Sequence, residues 1–272
     1  MYLIAKLICY LMFAVMLSLE PVTVKGQQSQ NPEVYLIAHR GGVVDENHAE
    51  NSRASILSAI ERGYWMLEVD IRETRDGRPI LHHDTDFRRF YNEPRRVEEM
   101  NWDEIKQLRS EIDGDRPILF SEAAELAGGH TRLMLDVKGN NFSEGFYREI
   151  EEALIHNNLL ETTFILTGRQ AQDYFGDRTS HSISFNRLME AADAGEDVSR
   201  KYHLFMLASQ LTEEMVQKAG ELNVLVVAAV NEFRYVQAGE DTWEGAKRDV
   251  ERLLTLGVQY YQIDSMYEAL FK

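Results

Sequence analysis

Past Gln30 the chain alternates short apolar runs with stretches of helical period, with no repeat, low-complexity tract or Pro/Gly/Ser-rich linker. That alternation is the pattern of β/α units around a parallel sheet. It predicts strands over Val34–His39, Met66–Ile71, Arg132–Val137, Thr163–Thr167, Ser182–Phe185, His203–Ala208, Val224–Val230 and Gln259–Ile263. Amphipathic stretches such as Asn51–Arg62, Glu144–Asn157 and Thr212–Leu222 lie between them, the last opened by Thr212 as an N-cap. Eight strands within residues 27–272 predict one domain, a (β/α)8 TIM barrel, a fold that typically takes about 250 residues.

One segment breaks the rhythm. Pro79–His83 also reads as a strand, separated from Met66–Ile71 only by a short link containing Thr74-Arg75-Asp76-Gly77. A parallel crossover needs a dozen or more residues, so these two strands must pair antiparallel around the Asp-Gly turn. The second barrel strand therefore carries a β-hairpin extension, and counting back from the turn sets His83 roughly opposite Glu68 to Asp70. Residues 84–116 then form a small insertion over the C-terminal mouth, either a lid or a surface elaboration.

The first 26 residues are expected to be a signal peptide. Lys6 precedes the apolar run Leu7–Leu19, which breaks at Glu20-Pro21, and Val24-Lys25-Gly26 suits cleavage after Gly26. At 1.5 Å per residue that run covers about 20 Å, short of a ~30 Å hydrocarbon core, which sets a leader ahead of a membrane anchor. The expectation is export to the periplasm or the medium, with no stable membrane partner after cleavage. Cys9 is the only cysteine and lies in this leader, so no disulfide holds the domain. The net charge of −16 argues against nucleic acid as a partner, and a phosphate ligand would need a local cation.

Barrel enzymes carry their chemistry at the C-terminal ends of the strands. Here those ends read His39-Arg40-Gly41-Gly42, then Glu68 and Asp70, His83-Asp84, Asp136 and Lys138, Asn231, and Asp264. Glu68, Asp70 and Asp136 point into one barrel from neighbouring strands and would resist joint ionisation. One divalent cation, Ca²⁺ or Mg²⁺, resolves this with oxygen ligands; the alternative is a salt-bridge network with Lys138 and Arg40. His39 and His83 are expected beside that cluster as catalytic acid and base. Arg40 supplies a guanidinium for phosphate, and Gly41 and Gly42 allow close backbone approach. Lys138 is expected either to meet phosphate or to hold the carboxylates.

These residues stand in motifs. Ile37-Ala38-His39-Arg40-Gly41-Gly42, Ala49-Glu50-Asn51-Ser52, Leu67-Glu68-Val69-Asp70, Thr74 through Asp84, and Leu135-Asp136-Val137-Lys138 resemble the glycerophosphodiester phosphodiesterases in order and spacing, over essentially the whole chain after the leader. The resemblance implies a phospholipase-C-like barrel, a bound Ca²⁺ or Mg²⁺, and cleavage of a small-molecule glycerophosphodiester to glycerol 3-phosphate and an alcohol. It makes His39 and His83 the acid–base pair and Glu68 and Asp70 metal ligands. Glu50 and Asn51 fall in a motif that implies supporting hydrogen bonds, with a helix N-cap as the alternative. The sequence departs from the family pattern in four places. Asp136 replaces Glu, Ala49 a frequent proline and His82 an apolar residue; Ala228-Ala229 replace Trp-Thr, which predicts a more open pocket. Competing outcomes are a cyclising lyase, a phosphodiesterase for a bulkier head group, and an exported binding protein without turnover.

Overall fold

In the computed structural model, residues 33–167 and 169–272 are described; the expected leader lies outside them. The strands are β1 (Tyr35–Ala38), β2 (Met66–Glu73), β3 (Pro79–Leu81), β4 (Asp86–Phe87), β5 (Glu93–Arg96), β6 (Arg132–Val137), β7 (Phe164–Thr167), β8 (Ser180–Ile183), β9 (Tyr202–Leu207), β10 (Leu225–Val230) and β11 (Tyr260–Ile263). Eight of them run parallel in the order β1-β11-β10-β9-β8-β7-β6-β2, and β2 returns to pair with β1 through Ile37–Met66 and Ala38–Leu67. The sheet is therefore a closed barrel with helices outside it. Among the described residues no helix is long and apolar enough to cross a membrane.

Alternation along the strands builds two layers. On β2, Leu67, Val69 and Ile71 join the core between sheet and helices, while Met66 lies in the interior cluster with Ile37, Met134, Leu166 and Val227. By the same two-residue period Glu68 and Asp70 follow Met66 inward, and Asp136 follows Met134. The barrel interior is thus apolar at the strand beginnings and acidic at their ends. The N-terminal end is closed by aromatics: Tyr35 stacks on Tyr260 with centroids 4.8 Å apart, and Trp65 lies 5.0 Å from Tyr260 and 6.0 Å from Phe164.

The hairpin forms as expected. β3 pairs antiparallel with β2 through Ile71–Leu81 and Glu73–Pro79, and the His82 amide donates to the Asp70 carbonyl at 3.0 Å. Three expected helices appear at Arg53–Glu61, Glu144–His156 and Glu213–Glu221, with Ser52, Ser143 and Thr212 as their N-caps. The cap of the first helix is Ser52, which leaves Glu50 and Asn51 free for the site. Residues 84–116 fold around a small core of their own, in which Phe87, Val97, Met100 and Ile105 gather on Ile80 of β3.

The fifth barrel strand lies two residues earlier than the sequence suggests, at Ser180–Ile183, and Phe185 opens a helix. Its beginning is polar and satisfied by local bonds, His181 Nε2 to the Gly176 carbonyl and Ser180 Oγ to His203 Nδ1. The apolar run therefore starts after the strand does. His203 itself is fully buried and stacked on Phe164 at 4.5 Å. Burial pushes its pKa down to about 3. A histidine held neutral in the fold but free to protonate when unfolded removes stability as pH falls from about 6.5 towards 3, by at most about 1.4 kcal/mol per pH unit. His203→Phe is expected to flatten the decline of the denaturation midpoint between pH 6.5 and 4; an unchanged slope would show that other groups set it.

Candidate active site

At the end of β1 the backbone makes a turn that few side chains tolerate. Arg40, Gly41 and Gly42 have φ of 55°, 79° and 144°. A Cβ on Gly41 would lie 2.8 Å from the Asn51 Cα, and one on Gly42 would lie 2.2 Å from the Ser55 carbonyl oxygen. The loop is thus pressed onto the start of the first helix. Gly42→Ala is expected to destabilise the fold by about 2 kcal/mol or more, read as a drop in Tm. Arg40 keeps its left-handed conformation because its amide donates to Glu68 Oε2 at 2.8 Å and its carbonyl accepts from the Asn51 amide at 2.8 Å.

This turn places His39 and Arg40 over the acidic end of the barrel. Glu68, Asp70 and Asp136 offer oxygens that all lie within 4.8 Å of one another, and all three residues are buried. Lys138 Nζ stands 3.1 Å from Asp70 Oδ1 and pairs with Asp136 Oδ2. Asn51 clamps Asp70 at both ends: its Nδ2 donates to Asp70 Oδ2 at 2.8 Å, and its Oδ1 accepts from the Asp70 amide at 3.1 Å. Burial also pushes the Asp70 carboxyl up, but the charges of Lys138 and His83 and the Asn51 bond outweigh it and hold its pKa below the usual range. Glu68 is pushed well above the carboxylate range, first by burial and then by the charges of Asp70 and Asp136. One ammonium cannot neutralise three buried carboxylates, and the deficit appears on Glu68. Three clustered oxygen donors with an unmet demand for positive charge fit a hard divalent cation. Lys138 pairs with these carboxylates, the second of its two expected roles.

Each of the two histidines is oriented by a carboxylate. His39 Nδ1 lies 2.6 Å from Asp264 Oδ1, with the Asn231 amide 3.1 Å from the same nitrogen. Asp264 Oδ2 accepts from the Glu232 amide at 2.6 Å. Burial would raise Asp264, yet the His39 bond and charge hold it below the usual range. His83 Nδ1 lies 2.8 Å from Asp84 Oδ1, and Asp84 is held in turn by Arg89 Nε at 2.8 Å. The His83 carbonyl accepts from Arg72 at 2.7 Å. Arg40 links the groups: its Nη1 donates to Glu50 Oε2 at 2.7 Å, its Nη2 lies 3.5 Å from His83 Nε2, and its buried Nε has no acceptor. Glu50 also receives Arg89. His82 turns away into the insertion, with its Nε2 2.7 Å from the Asp86 carbonyl and its ring on Phe87. Burial lowers its pKa.

All nine expected residues therefore meet at one end of the barrel. What the sequence does not show is the pairing of Asp264 and Asn231 with His39 and of Asp84 with His83, and the presence of Arg89. Asp264 and Asn231 were visible as strand ends, but a pairing across 225 positions leaves no local trace.

The model of the glycerophosphoryl diester phosphodiesterase family matches residues 39–251. The chain belongs to this family. It is 28% identical to a Bos taurus glycerophosphodiester phosphodiesterase 1 over 165 residues, which are 54% of this chain and 49% of that protein. The chain thus spans about half the length of such mammalian relatives. Among solved structures of the family, one from Parabacteroides distasonis aligns with a TM-score of 0.69 at 18% identity, over 90% of this chain and 88% of that one. A phosphodiesterase from Oleispira antarctica in complex with the product sn-glycerol-3-phosphate aligns at 0.63 and 17% identity, over 89% and 97%. Two departures from the family pattern gain a physical reading. Ala49 uses an amide that proline lacks, donating to Asp113 of the insertion at 2.9 Å. Ala228 is buried in the layer between barrel and helices, so the missing aromatic alters that packing and the expectation of a more open pocket does not follow from it.

Proposed function

We propose that this protein is a metal-dependent phosphodiesterase that hydrolyses glycerophosphodiesters to glycerol 3-phosphate and an alcohol. The observation that carries the reading is the pair of imidazoles at the acidic end of the barrel, each held at Nδ1 by a carboxylate. A carboxylate at Nδ1 fixes the tautomer and leaves Nε2 to exchange protons with the substrate. Glu68, Asp70 and Asp136 would hold the cation, Ca²⁺ or Mg²⁺, which when bound would neutralise phosphate charge and acidify the attacking hydroxyl. Arg40 would bind a phosphate oxygen, and Glu50 and Asn51 would fix Arg40 and Asp70 in place.

In this reading one imidazole takes the proton of the glycerol 2-hydroxyl as its oxygen attacks phosphorus. The other donates a proton to the departing alcohol oxygen, whose bond to phosphorus breaks. The imidazoles then exchange roles as water opens the cyclic phosphate. Incubation of the protein and cation with glycerophosphocholine, followed by ³¹P NMR, is expected to show glycerol 3-phosphate. A cyclic ester that persists would make the protein a lyase, and no turnover of any phosphodiester would defeat the reading. The leader supports the further proposal of export to the periplasm or medium, with N-terminal sequencing of the secreted form expected to start at Gln27.

A further inference from the structure

Five side chains at the barrel mouth close into a ring of contacts. Arg89 stands in a four-residue helix, Arg88–Tyr91, inside the insertion. Its Nη2 pairs with Glu50 Oε1, and its Nε lies 2.8 Å from Asp84 Oδ2. Each of those carboxylates turns its second oxygen to a group of the site. Glu50 Oε2 accepts from Arg40 Nη1 at 2.7 Å, and Asp84 Oδ1 lies 2.8 Å from His83 Nδ1. The ring closes where Arg40 Nη2 lies 3.5 Å from His83 Nε2. That last contact is the weak one. It sits at the outer limit of a hydrogen bond, and a guanidinium repels an imidazole that has taken up a proton. Arg40 and His83 therefore do not hold each other; the other four contacts hold them. A guanidinium presents Nε and Nη2 along one planar edge at a fixed spacing, so it sets the gap between its two acceptors. Arg89 is itself held in place. Its guanidinium lies 4.5 Å over the Phe90 ring, and Phe87 and Tyr91 on either side of it pack edge to face with centroids 5.8 Å apart. Its neighbour Arg88 points elsewhere, pairing with Asp86 at 2.7 Å while largely exposed.

We infer that Arg89 is a positioning residue: by bridging Glu50 and Asp84 it fixes the Arg40 guanidinium against the His83 imidazole in the geometry that the displacement at phosphorus needs. This rests on the phosphodiesterase reading above and adds to it a residue that acts through others. Glu50 belongs to the loop before the first helix and Asp84 follows the hairpin, so the two carboxylates come from separate parts of the chain. The insertion, which supplies Arg89, thereby sets the spacing between a group carried by β1 and one carried by the hairpin. Without Arg89, Glu50 keeps Arg40 and Asp84 keeps His83, but the two pairs are free to shift against one another. A shift of about 1 Å in a reacting group costs up to about 10²-fold in rate.

Steady-state kinetics on glycerophosphocholine test this. Arg89→Met is expected to lower kcat by about tenfold or more while KM stays within about threefold of wild type. Arg89→Lys keeps the charge but not the two-pronged edge, and its kcat is expected to fall between those of Arg89→Met and wild type. Arg88→Ala removes a cation from the same turn and is expected to match wild type. In an Asp84→Ala background the bridge is already cut, so the further loss on Arg89→Met should shrink to about threefold or less. Four results would overturn the inference while leaving the phosphodiesterase reading intact. These are near-wild-type kcat for both Arg89 variants, an equal loss on Arg88→Ala, a loss of undiminished size in the Asp84→Ala background, and a loss carried by KM, which would make Arg89 a substrate-binding group. Should Arg89→Met fail to fold, Arg89→Lys decides alone: a kcat lowered by about threefold or more at unchanged KM supports the inference, and wild-type kcat overturns it. Turnover of no phosphodiester by the wild type would defeat both readings.

Discussion

Replacing His39 by alanine is expected to lower kcat on glycerophosphocholine by about 10²-fold or more, and replacing His83 should do the same. Both changes remove a proton carrier while leaving the carboxylate cluster and its cation in place. KM should therefore move much less than kcat. The structure adds a test that the motifs alone do not supply. Asp264 contacts His39 through Nδ1 and, among the described residues, belongs to no group of three or more side chains close enough together to share a cation. Asp264→Asn should thus reduce kcat by orienting the ring less well, with a smaller loss than His39→Ala, and it should leave cation binding unchanged. Activity within a few-fold of wild type for both histidine variants would remove the acid–base assignment. A loss of cation binding on Asp264→Asn would show that this carboxylate serves the metal.

The parts of the molecule legible in the sequence are those that local rules dictate. A two-residue period puts Glu68, Asp70 and Asp136 inside, and a link too short for a crossover forces the hairpin that brings His83 back. The observed pairing, with the His82 amide on the Asp70 carbonyl, lies within the range that counting back from the turn gives. What stayed hidden depends on distant partners. β8 begins with polar residues satisfied by His203 and Gly176, so its hydrophobic signal starts late. Lys138 could face phosphate or carboxylate, and two-residue spacing from Asp136 does not decide between them. Arg89 comes from an insertion whose fold depends on its own small core, and a pattern tuned to barrel strands does not register it. His82 and His83 look alike in sequence and are separated by which side of the strand end meets Phe87.

Chelation is expected to abolish turnover, and the reason can be tested without any assay of activity. With no ion bound, burial and the charges of Asp70 and Asp136 push the Glu68 carboxyl well above the usual carboxylate range. A carboxyl whose pKa is raised on folding contributes stability below its unfolded value, near 4.3, and loses it as pH rises through the folded value. In EDTA, wild-type protein should therefore lose Tm as pH rises above that point, and Glu68→Gln should be at least as stable at pH 8. Adding Ca²⁺ or Mg²⁺ at about a hundred times its Kd should stabilise the wild type by about 2.7 kcal/mol, a rise of roughly 5–10 °C for a domain of this size. The same addition should move Glu68→Gln far less, because a neutral amide leaves the cation one charge short. Equal shifts in both proteins would place the cation elsewhere. Full activity in EDTA would show that the three carboxylates need no counter-charge beyond those the protein supplies, Lys138 among them, and catalysis would then fall to Arg40 and the two imidazoles.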